Sequence, residues 1–299
     1  MNKITTSSFL PSAKNFSIIR GKTFVGIDFG TSTTVVSIAS YDDNNSLIHT
    51  NSLRLKQKLP DGTLYSSEII PSVIAWINNQ ILVGEGASQL KYQLKKGKNI
   101  WYSFKMELGE DLGAKYYESE LRDKAPFNIR NPKDAARVFF AYLKHLLSCY
   151  CQENNISNDI SYAVSIPASF EANQRKDLLD ALMANDMKVS KQALIDEPNA
   201  AFISYAVSRA SEGQPMFVNP DYNSKVLVFD FGGGTCDISI LEIGYSANGF
   251  FSKNIAISKF TRLGGDDIDR YITYHYLMPR FLDANGKKWS NFAQMRKNR

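Results

Sequence analysis

The chain has 299 residues, of which 22% are charged and 43% hydrophobic, with a net charge of +5. This length and composition fit a globular protein with more than one lobe, and they exclude collagen-like and low-complexity chains. The basic residues form no aromatic-rich face, so we expect no nucleic-acid partner.

Residues 1–22 contain four basic side chains and no acid, and they lack the apolar core of a secretory signal. We therefore expect a basic, disordered tail, with a cleaved organelle-targeting segment as the alternative.

The next feature is a predicted strand–turn–strand unit. Its β-rich runs Phe24–Ile27 and Thr34–Ile38 flank the turn Asp28–Thr33.

The character of the sequence changes after residue 60. Ile70–Trp76 reads as a strand, and charged, irregular sequence comes after it. We interpret 61–130 as a subdomain inserted into a first lobe whose core is formed by 23–60 and 131–210.

Helices and strands then alternate, which indicates an α/β fold. Asn131 before Pro132 predicts a helix start, with asparagine as the N-cap. The stretch 135–147 is interrupted by charges and is too short for a membrane span, so no membrane partner is expected. We predict helices over 132–152, 173–187 and 198–210, and strands over 160–166 and 193–195.

Three cysteines, Cys149, Cys151 and Cys236, are an odd number for a chain of this length. They predict reduced thiols and hence a reducing, cytoplasmic compartment. Cys236 is expected to be a small packing residue, with a redox switch as the alternative.

The opening pattern returns about 200 residues later. A β-rich run, 225–229, leads into the turn Asp230–Asp237, and the strand 238–243 leaves it. This internal repeat predicts two facing, duplicated lobes, the second beginning within 222–299.

Both turns carry an aspartate, then glycine, then a hydroxyl residue. Glycine lets the backbone approach phosphate oxygens closely, and hydroxyls add donors. Asp28 and Asp230 need a cation before they can face polyphosphate, and Mg²⁺ meets one or two carboxylates plus phosphates. Either turn alone could be an ordinary hairpin, but the doubled unit favours a magnesium–polyphosphate clamp. The hydroxyl donors would be Thr31, Ser32, Thr33 and Thr235.

Several motifs resemble, in order, those of the seventy-kilodalton heat-shock chaperones (DnaK-type), over roughly residues 23 to 275. The two turns resemble that family's first and second phosphate motifs. The others are Ile70–Ala75, Leu82–Gly84, Ser103–Lys105, Ser165–Phe170, Gln174–Arg175, Asp196–Ala201 and Leu263–Asp269.

The resemblance implies an actin-like ATPase fold (ribonuclease H-like, duplicated) that binds ATP or ADP with Mg²⁺ in the cleft between its lobes. Lys105, Glu197 and Thr235 would be catalytic: Lys105 would reach the γ-phosphate and Glu197 would position the attacking water. Alternatives are a solvated face for Lys105 and a first-turn helix acid for Glu197. Asp28 and Asp230 would hold the metal through water. The nucleotide would contact Gly30, Thr31, Ser32, Thr33, Gly232, Gly233, Gly234, Thr235, Gly264 and Gly265.

Some residues depart from the family pattern. Asn199 stands where the family usually has threonine, and Met106 stands where a basic residue usually follows the lysine. These departures suggest a divergent branch that resembles the YegD-like chaperones. Arg299 precedes the family's second adenosine motif, so we expect a complete first lobe, an incomplete second lobe and a fragment with weak or no activity.

Together these features predict the ATP-hydrolysing domain of a stress-response chaperone that couples nucleotide state to client binding. Clients and co-chaperones would bind through regions outside this sequence, and the chain is expected to be a monomer. Two alternatives stay open: an actin-fold small-molecule kinase, and a non-catalytic interaction module of the same fold.

Overall fold

A computed structural model describes residues 23–42, 47–110, 128–189, 193–211, 223–246, 249–258 and 263–288. The predicted tail, 1–22, lies outside this set. Helices and strands alternate from 132 to 211 as predicted, and the fold is α/β.

The first unit is built on a mixed sheet of six strands. Its path is β11–β10–β1–β2–β3, and β6 pairs with β2. β1 is parallel to β10 and antiparallel to β2, so the first turn lies between two central strands. The strands are β1 (Thr23–Phe29), β2 (Thr33–Asp42), β3 (Leu47–Ser52), β6 (Ile69–Pro71), β10 (Ile160–Ile166) and β11 (Leu194–Asp196).

Two smaller sheets precede the first long helix. A hairpin pairs β4 (Leu55–Lys58) with β5 (Leu64–Ser67), and a second sheet has the order β8–β7–β9. The predicted strand at 70–76 is divided, because β6 pairs with the main sheet whereas β7 pairs with β8 and β9. The remaining elements are β7 (Val73–Ile77), β8 (Gln80–Val83), α1 (Glu85–Ser88), β9 (Ile100–Tyr102) and a 3-10 helix (Phe104–Glu107).

Helix α2 (Pro132–Glu153) covers the core face of β1. Alternation along β1 buries Val25, Ile27 and Phe29 on one side of the sheet. The Phe29 ring lies 5.0 Å from the ring of Phe140 on α2. The alternate positions of β1, Gly26 and Asp28, therefore lie on the opposite face, where the cavity lies.

The helix boundaries follow local capping chemistry. Asn131 Oδ1 accepts the Asp134 N–H at 2.8 Å, as expected for an N-cap. Helix α3 (Ala172–Met183) ends four residues before the predicted Met187. There Asp186 has φ of 52° and the Met187 N–H donates to the Leu182 carbonyl, a left-handed C-terminal turn that stops the helix.

The second unit is a three-stranded antiparallel sheet, β12 (Asn223–Phe231), β13 (Cys236–Ser246) and β14 (Gly249–Ile257). One face packs on helix α4 (Glu197–Ser211), where Phe202 and Ala206 contact Leu241 and Ile243. The other face exposes Leu227, Phe229 and Phe231. Helix α5 (Gly265–Ile272), a π-helical turn (Thr273–Leu277) and α6 (Met278–Ala284) follow.

Candidate functional site

One cavity of about 630 Å³ lies between the two units. It brings together both turns, both aspartates, Lys105 and Glu197, although these residues are as much as about 200 positions apart in sequence. Small side chains of β10 and α4 line its other end. The predicted residues that line it are Asp28, Gly30, Thr31, Ser32, Thr33, Lys105, Glu197, Asp230, Gly232, Gly233 and Thr235.

Ser72 stabilises the first turn through two hydrogen bonds. Its hydroxyl donates to the Gly30 carbonyl at 2.8 Å, and its N–H donates to the Ser32 carbonyl at 2.9 Å. Gly30 has no room for a side chain, since a Cβ there would lie 2.1 Å from the Thr33 carbonyl oxygen. Sequence reasoning missed the role of Ser72, although it stands between β6 and β7 inside a recognised motif.

The second turn rests on the start of α5. The N–H groups of Gly265 and Asp266 donate to the carbonyls of Gly232 and Gly233, at 3.0 and 2.9 Å. A Cβ on Gly264 would lie 2.5 Å from the Gly233 carbonyl carbon. Gly264 and Gly265 therefore support the second turn and are not among the residues that line the cavity, and their contact with nucleotide stays a prediction.

The two turns touch each other. A Cβ on Gly233 would lie 2.4 Å from Ser32 Oγ, and one on Gly234 would lie 2.8 Å from Thr31 Cγ2. Gly234 consequently faces Thr31 and does not line the cavity. Glycine at 233 and 234 allows this approach without moving Ser32 or Thr31, whereas a Cβ on Gly232 would meet no atom closer than 3.7 Å.

Lys105 and Glu197 form a buried ion pair beside the turns. Lys105 Nζ lies 2.7 Å from Glu197 Oε1, and Lys105 is only 4% exposed. The 3-10 helix that carries Lys105 follows Ser103, whose φ is 59°, and places the ammonium over the rings of Phe29 and Phe170. This burial rules out the alternative of a solvated lysine.

Opposing influences act on the Glu197 carboxyl. Burial raises the pKa of Glu197, the charge and hydrogen bond of Lys105 lower it, and the charges of Asp28 and Asp230 raise it; the net direction is upward. Glu197 is also the first residue of α4, so it is a first-turn acid as well as a cavity residue.

The two aspartates come from opposite units. Asp28 Oδ1 accepts a hydrogen bond from Ser165 Oγ at 2.7 Å. Partial burial raises the pKa of Asp230, Asp237 and Asp28 raise it further, and Lys105 lowers it. Among the described residues, no three histidine, cysteine or acidic side chains come close enough to hold a metal by themselves.

In the described part of the chain, no helix has the length and apolarity needed to cross a membrane.

The family comparison agrees with the arrangement of the cavity. The family model described as Hsp70 protein matches residues 24–297, which include both turns, Lys105 and Glu197. The chain therefore belongs to the Hsp70 family, whose members have an actin-like, ATP-binding ATPase domain and act as chaperones.

Proposed function

We propose that this cavity binds ATP with its phosphates at the two turns and hydrolyses it to ADP and phosphate. The observation that carries the proposal is the convergence of two Asp–Gly–hydroxyl turns and the Lys105–Glu197 pair on one cavity. Glycine-rich turns supply backbone N–H donors for phosphate oxygens, and Thr31 and Thr235 add hydroxyl donors.

The donor set around the cavity fits Mg²⁺. Asp28 and Asp230 both line the cavity, and two carboxylates plus phosphate oxygens are a typical partner set for this ion. When bound, the cation would neutralise negative charge on the transferring phosphate. Ser165, through its bond to Asp28, would orient one of the carboxylates.

Lys105 and Glu197 suit the reacting end of the nucleotide. Lys105 is a fixed cation in a water-poor site, where it would stabilise charge that develops on the γ-phosphate. Glu197 would accept a hydrogen bond from the attacking water and align it. In the present arrangement the two side chains bind each other, so ligand binding would exchange that contact for contacts with phosphate and water.

The contact between the turns supports a link to chaperone activity. The turns approach each other at Ser32 and Gly233, where a Cβ on Gly233 would lie 2.4 Å from Ser32 Oγ. A phosphate group bound between these two residues would therefore move the two units apart. The angle between the units would then report the nucleotide state. In the protein as it acts in the cell, we propose that this change controls client binding during the stress response in the cytoplasm, with co-chaperones acting on the same cycle.

Hydrolysis in ¹⁸O-labelled water tests the function directly. The chain is incubated with millimolar ATP and Mg²⁺, with and without Glu197→Gln. We expect phosphate that carries one ¹⁸O atom per turnover, and a marked loss in the variant. ATP consumption without labelled phosphate would indicate a kinase, and binding without consumption would indicate a non-catalytic module.

A further inference from the structure

A polar cluster joins the start of α4 to strand β14 of the second unit. Asn254 Nδ2 donates to Asp196 Oδ2 at 2.7 Å, and Ser252 Oγ donates to Asn199 Oδ1 at 2.5 Å. Asn199 Nδ2 donates to Asn254 Oδ1 at 3.2 Å. These four residues are termed the Asn199 cluster. Its two members in the first unit and α4, Asp196 and Asn199, lie on either side of Glu197 in sequence.

The spacing of Ser252 and Asn254 on β14 lets both side chains reach their partners at the start of α4. Ser252 and Asn254 are two residues apart on a strand, so they share one face of β14. Asp196 ends β11 directly before α4, and Asn199 is the third residue of α4, so both lie at the start of this helix. The Asn254 amide is used at both ends, and reversing it would set its oxygen against the Asp196 carboxylate.

The cluster is anchored firmly in the first unit. Arg175 donates to Asp196 Oδ1 at 2.9 Å and to the Phe170 carbonyl at 3.0 Å. Each oxygen of the Asp196 carboxylate thus has its own partner, one from each unit. A charge-assisted bond on both sides resists displacement better than a single neutral one.

Strand β14 is connected to the second turn through its pairing with β13 and the pairing of β13 with β12. Asn254 is paired with Leu241 on β13, and β13 is paired with β12 up to Asp230 and Phe231. The register shifts between Ile240 and Leu241, next to Asn254. The ladder continues past this irregularity to Asp230 and Phe231, so a fixed β14 would restrain the turn that follows β12. Glu197 lies between the two residues that hold β14.

We propose that Asn199 is a positioning residue that ties β14 to the start of α4 and so holds Glu197 in register with the second turn. The assignment of a catalytic effect rests on the proposed function, whereas the tie itself does not. Asn199 touches neither turn, so it acts through Glu197 and the sheet.

The tie is tested in Asn199→Ala, Asn254→Ala and the double variant, with Asn154→Ala as the matched control. Asn154 is an exposed asparagine that directly follows α2, and its Nδ2 donates to the Tyr150 carbonyl. We expect each cluster variant to speed amide exchange in β14 about tenfold, the double variant to add little, and the control to leave β14 unchanged. Additive effects, or unchanged exchange in the cluster variants, would overturn the tie.

Single-turnover hydrolysis separates positioning from general loosening. We expect Asn199→Ala to lower the rate about five- to tenfold in the wild-type background, but less than about twofold when Glu197 is already glutamine. An equal loss in both backgrounds would refute action through Glu197. If the wild-type chain hydrolyses no ATP, the proposed function and the catalytic effect fail together, while the exchange experiment still decides the tie.

Discussion

Burial and pairing distinguish Lys105 and Glu197 from the chain's surface charges. Lys56 and Glu153 form an ion pair of similar length, 2.9 Å, but both side chains are about half exposed. An exposed pair contributes little free energy because water screens it, whereas charges in a closed site act strongly on a developing charge. We therefore expect the buried Lys105–Glu197 pair to affect ATP hydrolysis and the exposed Lys56–Glu153 pair not to affect it.

This contrast gives a prediction. We expect Lys105→Ala and Glu197→Ala each to lower single-turnover ATP hydrolysis by about 100-fold or more, with ATP affinity changed only a few-fold, since both residues act mainly in the transition state. Lys56→Ala and Glu153→Ala are the matched controls and should leave the rate unchanged. Unchanged hydrolysis in both cavity variants would refute the assigned roles.

The aspartates give a second prediction. Asp28→Asn and Asp230→Asn each remove a negative charge from the proposed cation site, so both should weaken ADP binding in the presence of Mg²⁺ much more than in its absence. Calorimetric titration of ADP under the two conditions measures the difference. An equal loss with and without Mg²⁺ would assign the aspartates a structural role.

At the scale of elements, the second turn depends on a close backbone approach from α5. Gly264 meets the Gly233 backbone, whereas a Cβ on neighbouring Gly265 would make only ordinary contacts, at 3.8 Å or more. Gly264→Ala must therefore displace the turn, and Gly265→Ala need not.

We expect Gly264→Ala to reduce hydrolysis by at least about tenfold, because a shift of about 1 Å in a positioned group is enough for such a loss. Gly265→Ala should stay within about threefold of the wild type. Similar losses in both variants would show that helix propensity, and not the approach to Gly233, controls this site.

Local chemistry made most elements predictable. Strand β10 matches its predicted limits, and the N-cap at Asn131 with proline next to it marks the start of α2 as predicted. The early end of α3 was missed because it depends on a left-handed residue, Asp186, that is not glycine. The division between β6 and β7 was missed because it depends on which distant strands each one pairs with.

Part of the candidate site could also be predicted from the sequence. The repeated turns predicted the two aspartates and the hydroxyl residues that line the cavity, because their chemistry is local and doubled. Lys105 and Glu197 were predicted only from the resemblance to the chaperone family. The supporting contacts, such as Ser72 beneath the first turn and Asn254 beside Asp196, join positions that no local pattern connects. The Asn199 departure was visible in the sequence, but its partner strand was not.

At the scale of the whole molecule, the two units repeat one pattern with different coverage. Val25, Ile27 and Phe29 of β1 are buried under α2. The corresponding residues of β12 in the repeat, Leu227, Phe229 and Phe231, are between 41% and 64% exposed. Buried apolar surface is the main stabilising contribution, so the two units should differ in local stability.

Hydrogen exchange of the 299-residue chain tests this difference. We expect the described amides of 223–288 to exchange at least about 100-fold faster than those of the first-unit strands β1 and β10, because the described residues cover the second sheet on one face only. Equal protection of β12 and β1 would contradict the expectation and would point to a partner that covers the exposed face.

The cavity lining also predicts modest affinity for nucleotide. Among the described residues that line it there is no aromatic side chain, and the polar groups cluster at the turns. Phosphate contacts must replace strong hydration and leave little net free energy, so we expect the chain to bind ATP more weakly than about 100 μM. Low-micromolar binding by calorimetry would contradict this.

The central claim is that the two turns together receive the phosphates of ATP. Amide NMR of the ¹⁵N-labelled chain tests it most directly, because it detects weak binding residue by residue. Titration with millimolar Mg-ATP should shift the amides of Gly30–Thr33 and of Gly232–Thr235 along one binding curve, while adenosine at the same concentration should not. Shifts confined to one turn, or equal shifts with adenosine, would contradict a two-sided phosphate site.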